Sequence, residues 1–209
     1  MRSDDAAGRT FIEAARRRQF IDSAIETLDE LGFSGASAAE VARRTSIAKS
    51  ALFYHFKNKD ELLHAVVDDL YALAAQEIVK EMATVDGPRQ ALIRYIRTCI
   101  LFASAHPRWI RAAMEVIQNL RTPDGALVFG QATNQPNIDA IDQMLREGQR
   151  DGVFRDFATL PMAVSIRAAV DAAPACFAHH PDLDPGAYAD EVAALFDMAT
   201  RRLDAKEAT

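Results

Sequence analysis

The chain has 209 residues, of which 49% are hydrophobic and 26% charged, and its formal net charge is −6. That balance excludes disorder over most of the length, because disordered chains lack the apolar content to offset ordering entropy. No window approaches the ~18 uninterrupted apolar residues of a membrane span, the first twenty residues hold no apolar leader core, and two cysteines, Cys99 and Cys176, make neither a disulfide framework nor a CxxC site. The expectation is a cytoplasmic protein with two buried thiols and no membrane partner.

Apolar residues recur at helical spacing almost throughout, with no credible strand run, which predicts an all-α fold. Phe20, Ile21, Ala24, Ile25, Leu28 and Leu31 form one stripe, and Gly32 follows as a helix C-cap glycine would. A polar tail precedes it, up to about Thr10. Ser37-Ala38-Ala39-Glu40 reads as a capping box opening a short helix from Ala38 to about Arg44. After a turn at Ser46, a third helix runs from Lys49 to about His55, with Leu52 and Phe56 on its inner face. Asn58-Lys59-Asp60-Glu61 is a second capping box and starts a long helix reaching Met82. Asp86-Gly87-Pro88 breaks it and starts the next, with proline suited to the first turn. Helices then follow over Ala91–Ala105, from Pro107 to about Leu120, from Pro136 to Asp151, over Leu160–Phe177 with Pro174 as a kink, and over Tyr188–Leu203.

Charge is unevenly spread. Residues 1–62 carry ten basic and ten acidic side chains, so the remainder holds the whole negative balance. Within 43–59 stand Arg43, Arg44, Lys49, Lys57 and Lys59 and no acid, a local excess of the kind a polyanion reads. Two short helices joined by a tight turn, then a capped long helix, describe a helix-turn-helix unit, whose second helix enters the DNA major groove. Lys49, Ser50, Ala51, Phe53, Tyr54 and His55 form its outer face.

The run Ala38–Leu62 resembles the DNA-binding segment of the TetR family of bacterial transcriptional regulators. The likeness is strongest in Glu40-Val41-Ala42 and in Leu52-Phe53-Tyr54-His55-Phe56-Lys57-Asn58-Lys59-Asp60-Glu61-Leu62, and covers about 20–62. It implies that Lys59 contacts a phosphate, that Tyr54 and His55 lie at the DNA surface, and that Lys49, Ser50 and Ala51 meet base edges and backbone. Three positions depart from the pattern. Phe53 stands where a tyrosine is usual, Ser46 where the turn usually holds glycine, and Ala48 where serine or threonine caps the recognition helix. Ser46 is thereby placed at positive φ or in a different turn, and the missing cap weakens the helix end by ~0.5–2 kcal/mol.

Two domains are expected: 1–62 for DNA binding and 63–209 for effector binding and dimerisation. The second part shows no GxSxG, HExxH or P-loop, and no cofactor is implied. His179-His180 with Asp182 and Asp184 reads as a solvated loop rather than a metal site. The resemblance makes the partners a double-stranded, palindromic DNA operator, a small-molecule effector and a second copy of the chain. Candidate effector contacts are Tyr95, Cys99, Phe102, Trp109, Met114, Phe129, Met144 and Phe177, each also fit to be plain core; Trp109, after His106-Pro107, is the best placed. Arg167 and Asp171, four apart on an apolar helix, suit a buried ion pair, a ligand handle or a dimer contact. Val192, Leu195, Phe196, Ala199 and Leu203 make the dimer stripe on the last helix, with 158–178 beside it. A helical enzyme or adaptor carrying a helix-turn-helix segment is the competing reading. The absence of catalytic motifs and the basic 43–59 run weigh against it.

Overall fold

The computed structural model describes residues 3–202, with side chains from Ile12 onward except at 131 and 132. The helices among these residues are α1 (Ser3–Gly35), α2 (Ala38–Thr45), α3 (Lys49–His55), α4 (Lys59–Met82), α5 (Pro88–Ala105), α6 (Pro107–Asn119), α7 (Gln131–Arg150), α8 (Thr159–His179) and α9 (Pro185–Thr200). The described residues hold no strand, only two isolated bridges, Arg121 with Leu127 and Phe154 with Arg201. The fold is all-α, an N-terminal helix-turn-helix followed by a helical C-terminal part.

Several boundaries differ from the spacing argument. α1 begins at Ser3, so the polar stretch before Thr10 is helical. Gly32 bends α1 at φ 67 and ψ −177, and the buried face ends there: Leu31 is 50% exposed, while Ala36 beyond the bend is buried. α7 begins at Gln131 after an extended Gly130, so Pro136 lies inside the helix rather than opening it. α9 stops at Thr200, because Arg201 turns extended and bridges to Phe154; Leu203 lies outside the described residues.

The chain forms two compact units. One comprises the described residues up to Ala72 together with Arg108–Phe129, and the other Leu73–Pro107 with the chain from Gly130 onward. The first unit is therefore larger than residues 1–62. Its core holds Phe20, Ile21, Leu28, Val41, Leu52, Phe56, Leu63 and Val66, all almost fully buried. α6 joins this unit by side-chain bonds as well as by packing. Trp109 Nε1 donates to the Val66 carbonyl at 3.1 Å, Arg111 Nε to Asp29 at 2.7 Å, and Glu115 accepts the Phe33 N–H at 2.9 Å.

In the second unit α5 packs against α7, α8 and α9. Leu92, Ile96, Ile100, Ile141, Leu145, Phe154, Ile166 and Val170 fill its core. Gly148 is needed there, since a Cβ would stand 2.1 Å from the Phe154 ring. By length and apolar content alone α8 is long enough to cross a membrane, which the count of uninterrupted apolar residues did not register. Its Ala163, Ile166, Val170 and Ala173 are buried in this core.

Candidate functional site

The helix-turn-helix is built from local signals that succeed singly. Ser37 accepts the Glu40 N–H at 3.1 Å and caps α2. The reciprocal half of the predicted capping box is absent. Glu40 is gripped instead by Arg43 (2.8 and 2.7 Å) and Arg44 (2.9 Å), because charge-assisted bonds outcompete a backbone N–H. Those hydrogen bonds, Arg43 first, hold the Glu40 carboxyl at about 2. Arg44 also pairs with Glu30 at 2.8 Å. The basic run is thus partly neutralised at its start, which leaves Lys49, Lys57 and Lys59 as the cations toward a polyanion.

Ser46 takes the left-handed conformation, φ 56 and ψ 22. The Thr45 hydroxyl stiffens the turn, donating to the Ala42 carbonyl at 2.9 Å and accepting the Ile47 N–H at 3.3 Å. α3 starts without a side-chain cap at Ala48. Leu52 and Phe56 anchor α3 to the core. Lys49, Ser50, Phe53 and Tyr54 stand exposed on its other side, with the Lys49 ammonium 5.6 Å from the centre of the Phe53 ring. Tyr54 is 74% exposed, and its hydroxyl donates to Glu13 at 3.2 Å. His55 meets the Tyr54 ring edge-on at 5.1 Å and the Phe20 ring at 5.9 Å. Half-buried Ala51 lines a small cleft with Ile12, Glu13, Arg16, Tyr54 and His55.

At the start of α4, Asn58 accepts the Glu61 N–H at 2.8 Å, and Glu61 answers to the Lys57 N–H at 2.8 Å, one residue before the predicted partner. Lys59 Nζ donates to the Phe33 carbonyl at 3.2 Å and lies 4.6 Å from that ring's centre. Burial lowers its pKa. Glu13, Arg16 and Phe33 are the parts of this site that the sequence reading missed. Their signal was faint: Glu13 and Arg16 continue the α1 register seven and four residues before Phe20.

The eight effector candidates are divided between the two units. Trp109, Met114 and Phe129 belong to the first unit. Trp109 bonds to Val66 and lies beneath the Arg18 guanidinium at 4.8 Å, Met114 is 43% exposed, and Phe129 is buried against His64 at 4.7 Å. The other five belong to the second unit. Tyr95 and Cys99 are buried, and half-buried Met144 and Phe177 pack on the core, Phe177 also against Tyr188 at 5.2 Å. Phe102 lines an open groove of about 730 Å³ with Leu73, Ile93, Leu101, Glu77, Glu81, Arg94 and Arg97, among others. Arg94 pairs with Glu81 at 2.7 Å and Arg97 with Asp190. Arg167 and Asp171 form an ion pair, with Asn134 donating to Asp171 at 3.0 Å. His179 donates from Nδ1 to the Ala175 carbonyl at 2.8 Å, and Asp184 caps α9.

Residues 20–66 match the family model described as bacterial regulatory proteins, tetR family. That segment is a TetR-family DNA-binding segment. An HTH-type transcriptional repressor of Mycobacterium tuberculosis is 28% identical over 144 residues, 68% of this chain and 72% of that protein. Other curated relatives match over 30% to 45% of their own length. Among solved structures, a tetR-family regulatory protein from Rhodococcus RHA1 superposes with a TM-score of 0.76 at 16% identity, covering 90% of this chain and 98% of that one. AibR in complex with isovaleryl coenzyme A and operator DNA superposes at 0.71 with 21% identity, covering 86% and 97%. At these identities the structural likeness shows the fold; the regulator reading rests on the matched segment and the curated relatives. The TetR-family segment holds α2, α3 and the start of α4 complete, with Lys49, Tyr54 and Lys59 inside it.

Proposed function

We propose that this TetR-family transcriptional regulator is a homodimeric repressor. In this reading it binds a palindromic operator through α3 and is released when the second unit takes up a small, mostly apolar molecule. Residues 1–62 carry the DNA contacts: Lys49, Ser50, Ala51, Phe53, Tyr54 and His55 on α3, and Lys59 on α4. Residues 63–209 carry the effector and dimer functions, and the protein works in the cytoplasm, where the chromosome is.

The observation that carries the DNA reading is the exposed face of α3, on which Lys49, Ser50, Phe53 and Tyr54 stand outward and which has no carboxylate of its own, although Glu13 of α1 reaches Tyr54. Such a helix reads only a few base pairs, so paired half-sites multiply the readout, and operator symmetry then mirrors that of the protein. Support for a second copy comes from exposed apolar side chains on α8 and α9: Leu160, Val164, Leu195 and Met198, each 46–58% exposed. Release requires only that the effector bind the non-DNA conformation better than the DNA-bound one. AibR, of the same fold, has been seen with both an acyl coenzyme A and operator DNA.

The test is a gel shift on the DNA upstream of the protein's own gene, repeated with the half-site spacing altered. Specific binding that fails when the spacing changes by half a helical turn supports the dimer. Binding no tighter than to random DNA overturns the reading.

A further inference from the structure

Three successive arginines on α1 serve different ends. Arg18 turns toward α4 and α6. Its guanidinium pairs with Asp22 at 2.8 Å and with Asp69 at 3.4 Å, and lies 4.8 Å from the centre of the Trp109 ring. Arg16 and Arg17 turn toward α3. Arg16 lines the cleft with Ala51, Tyr54 and His55, and the Arg17 guanidinium lies over the Phe56 ring at 5.1 Å. Both side chains are exposed, and neither makes an ion pair or hydrogen bond with another described residue. Glu13 stands in the same cleft, three residues before Arg16 and within reach of a helical ion pair. It accepts from the Tyr54 hydroxyl at 3.2 Å instead.

The placement of these two cations suits a polyanion. When α3 lies in the major groove, the elements packed at its sides meet the sugar–phosphate walls, and the first helix of such a unit crosses the backbone. Glu13 offsets one of the two charges, and the other stands in excess beside the exposed face of α3. Phe56 is almost fully buried, so its ring is a fixed platform for Arg17. The ring engages the face of the guanidinium and leaves the N–H groups at its edge free, in the fork that matches phosphate oxygens. An arginine held in this way loses less freedom on meeting a phosphate than one that is not. Arg18 shows the contrast, since its carboxylates and its ring partner already use the group within the fold.

Resting on the operator reading above, we propose that Arg16 and Arg17 grip the DNA backbone beside the groove that α3 enters, so that the duplex is held from α1 as well as from Lys59 on α4. The test is fluorescence anisotropy on the full chain at several salt concentrations. Two duplexes of equal length serve as probes, the fragment upstream of the protein's own gene and one of mixed sequence. Arg16→Gln and Arg17→Gln should each lower the slope of log affinity against log salt by about 1 for each subunit on the DNA, on both duplexes alike. Arg16→Lys and Arg17→Lys keep the charge and should keep the slope. Arg18→Gln removes the same charge from the neighbouring position; it should lower the melting temperature and leave the slope at the wild-type value. Unchanged slopes in Arg16→Gln and Arg17→Gln overturn the proposal. An equal fall in Arg18→Gln overturns it too, because net charge rather than contact would then set the slope. The operator reading fails separately: a wild type that prefers neither duplex refutes the operator, while slopes that fall in the two variants on the mixed-sequence duplex still uphold the α1 contact.

Discussion

Lys59 is held by Phe33 from two sides, with its ammonium donating to the carbonyl at 3.2 Å and lying 4.6 Å from the ring centre. An ammonium has three donors, and one bond to Phe33 aims the group while the others stay available to a phosphate. Lys59→Ala should therefore weaken binding to all DNA sequences about equally and reduce the salt slope by about 1. Phe33→Ala should weaken binding with the slope retained, since it loosens the cation without removing it. Binding isotherms at several salt concentrations check both, and an unchanged slope in Lys59→Ala would remove this lysine from the interface.

The Tyr54 hydroxyl is engaged by Glu13 at 3.2 Å. A carboxylate at that place repels phosphate and holds the tyrosine in one rotamer. Glu13→Gln should speed association with DNA and change its salt dependence, as substitutions of rim charges do, while Tyr54→Phe should change sequence preference. Stopped-flow binding and selection from a random-site library separate the two effects. Equal shifts in preference from both variants would mean that Glu13 acts only by placing Tyr54.

Glu40 supplies a pH dependence whose sign is fixed. Its carboxyl is lowered from the usual 4.5 to about 2 by Arg43 and Arg44. A depressed carboxylate contributes stability that is present above its unfolded pKa and lost as pH falls through the folded one. The Glu40→Gln variant should thus be less stable than the wild type above pH 4.5, and the gap should close towards pH 2. Arg43 is exposed, while Glu40 and Arg44 are half-buried, so solvent screens the interaction and the gap is small. Urea melts across this range measure it; a gap that persists unchanged at pH 2 would assign the loss to packing.

The α2–α4 segment was legible because its signals are local. Ser37, Asn58, Pro88 and Pro107 each start a helix where the sequence places one, and of the two outcomes open for Ser46 the structure has positive φ. What escaped was competition and distance. Glu40 had two reciprocal partners on offer, and the arginines won. Pro136 reads as a helix start, yet tertiary packing carries α7 through it. Trp109 reads as a cavity residue because spacing cannot reveal a partner 43 positions away at Val66.

Leu195 and Met198, 58% and 56% exposed on α9, allow the dimer to be tested without disturbing the core. Leu195→Glu should leave the melting of the isolated chain unaltered and shift sedimentation toward monomer at micromolar concentration. DNA affinity should fall with it, because a single half-site is left. The predicted stripe residue Val192 is buried, so its substitution would confound folding with assembly. A wild-type protein that sediments as a monomer would refute the dimer directly.

The first unit is assembled from two separate stretches of chain, and α6 in the second of them supplies partners to Asp29, the Phe33 N–H and the Val66 carbonyl. A gene fusion that joined residues 1–72 to the sensor of a relative would leave Asp29, 13% exposed at its side chain, without its two arginines Arg108 and Arg111. The fusion would fold only if the incoming chain brought its own matching α6. Inheritance is constrained in the same way. A reader and a sensor linked by one crossing can be traded as whole cassettes, but here a short piece from the middle of the chain must travel with the reader. On the effector reading proposed above, new specificities are thus expected to arise by point changes within the second unit more readily than by exchange of the unit itself.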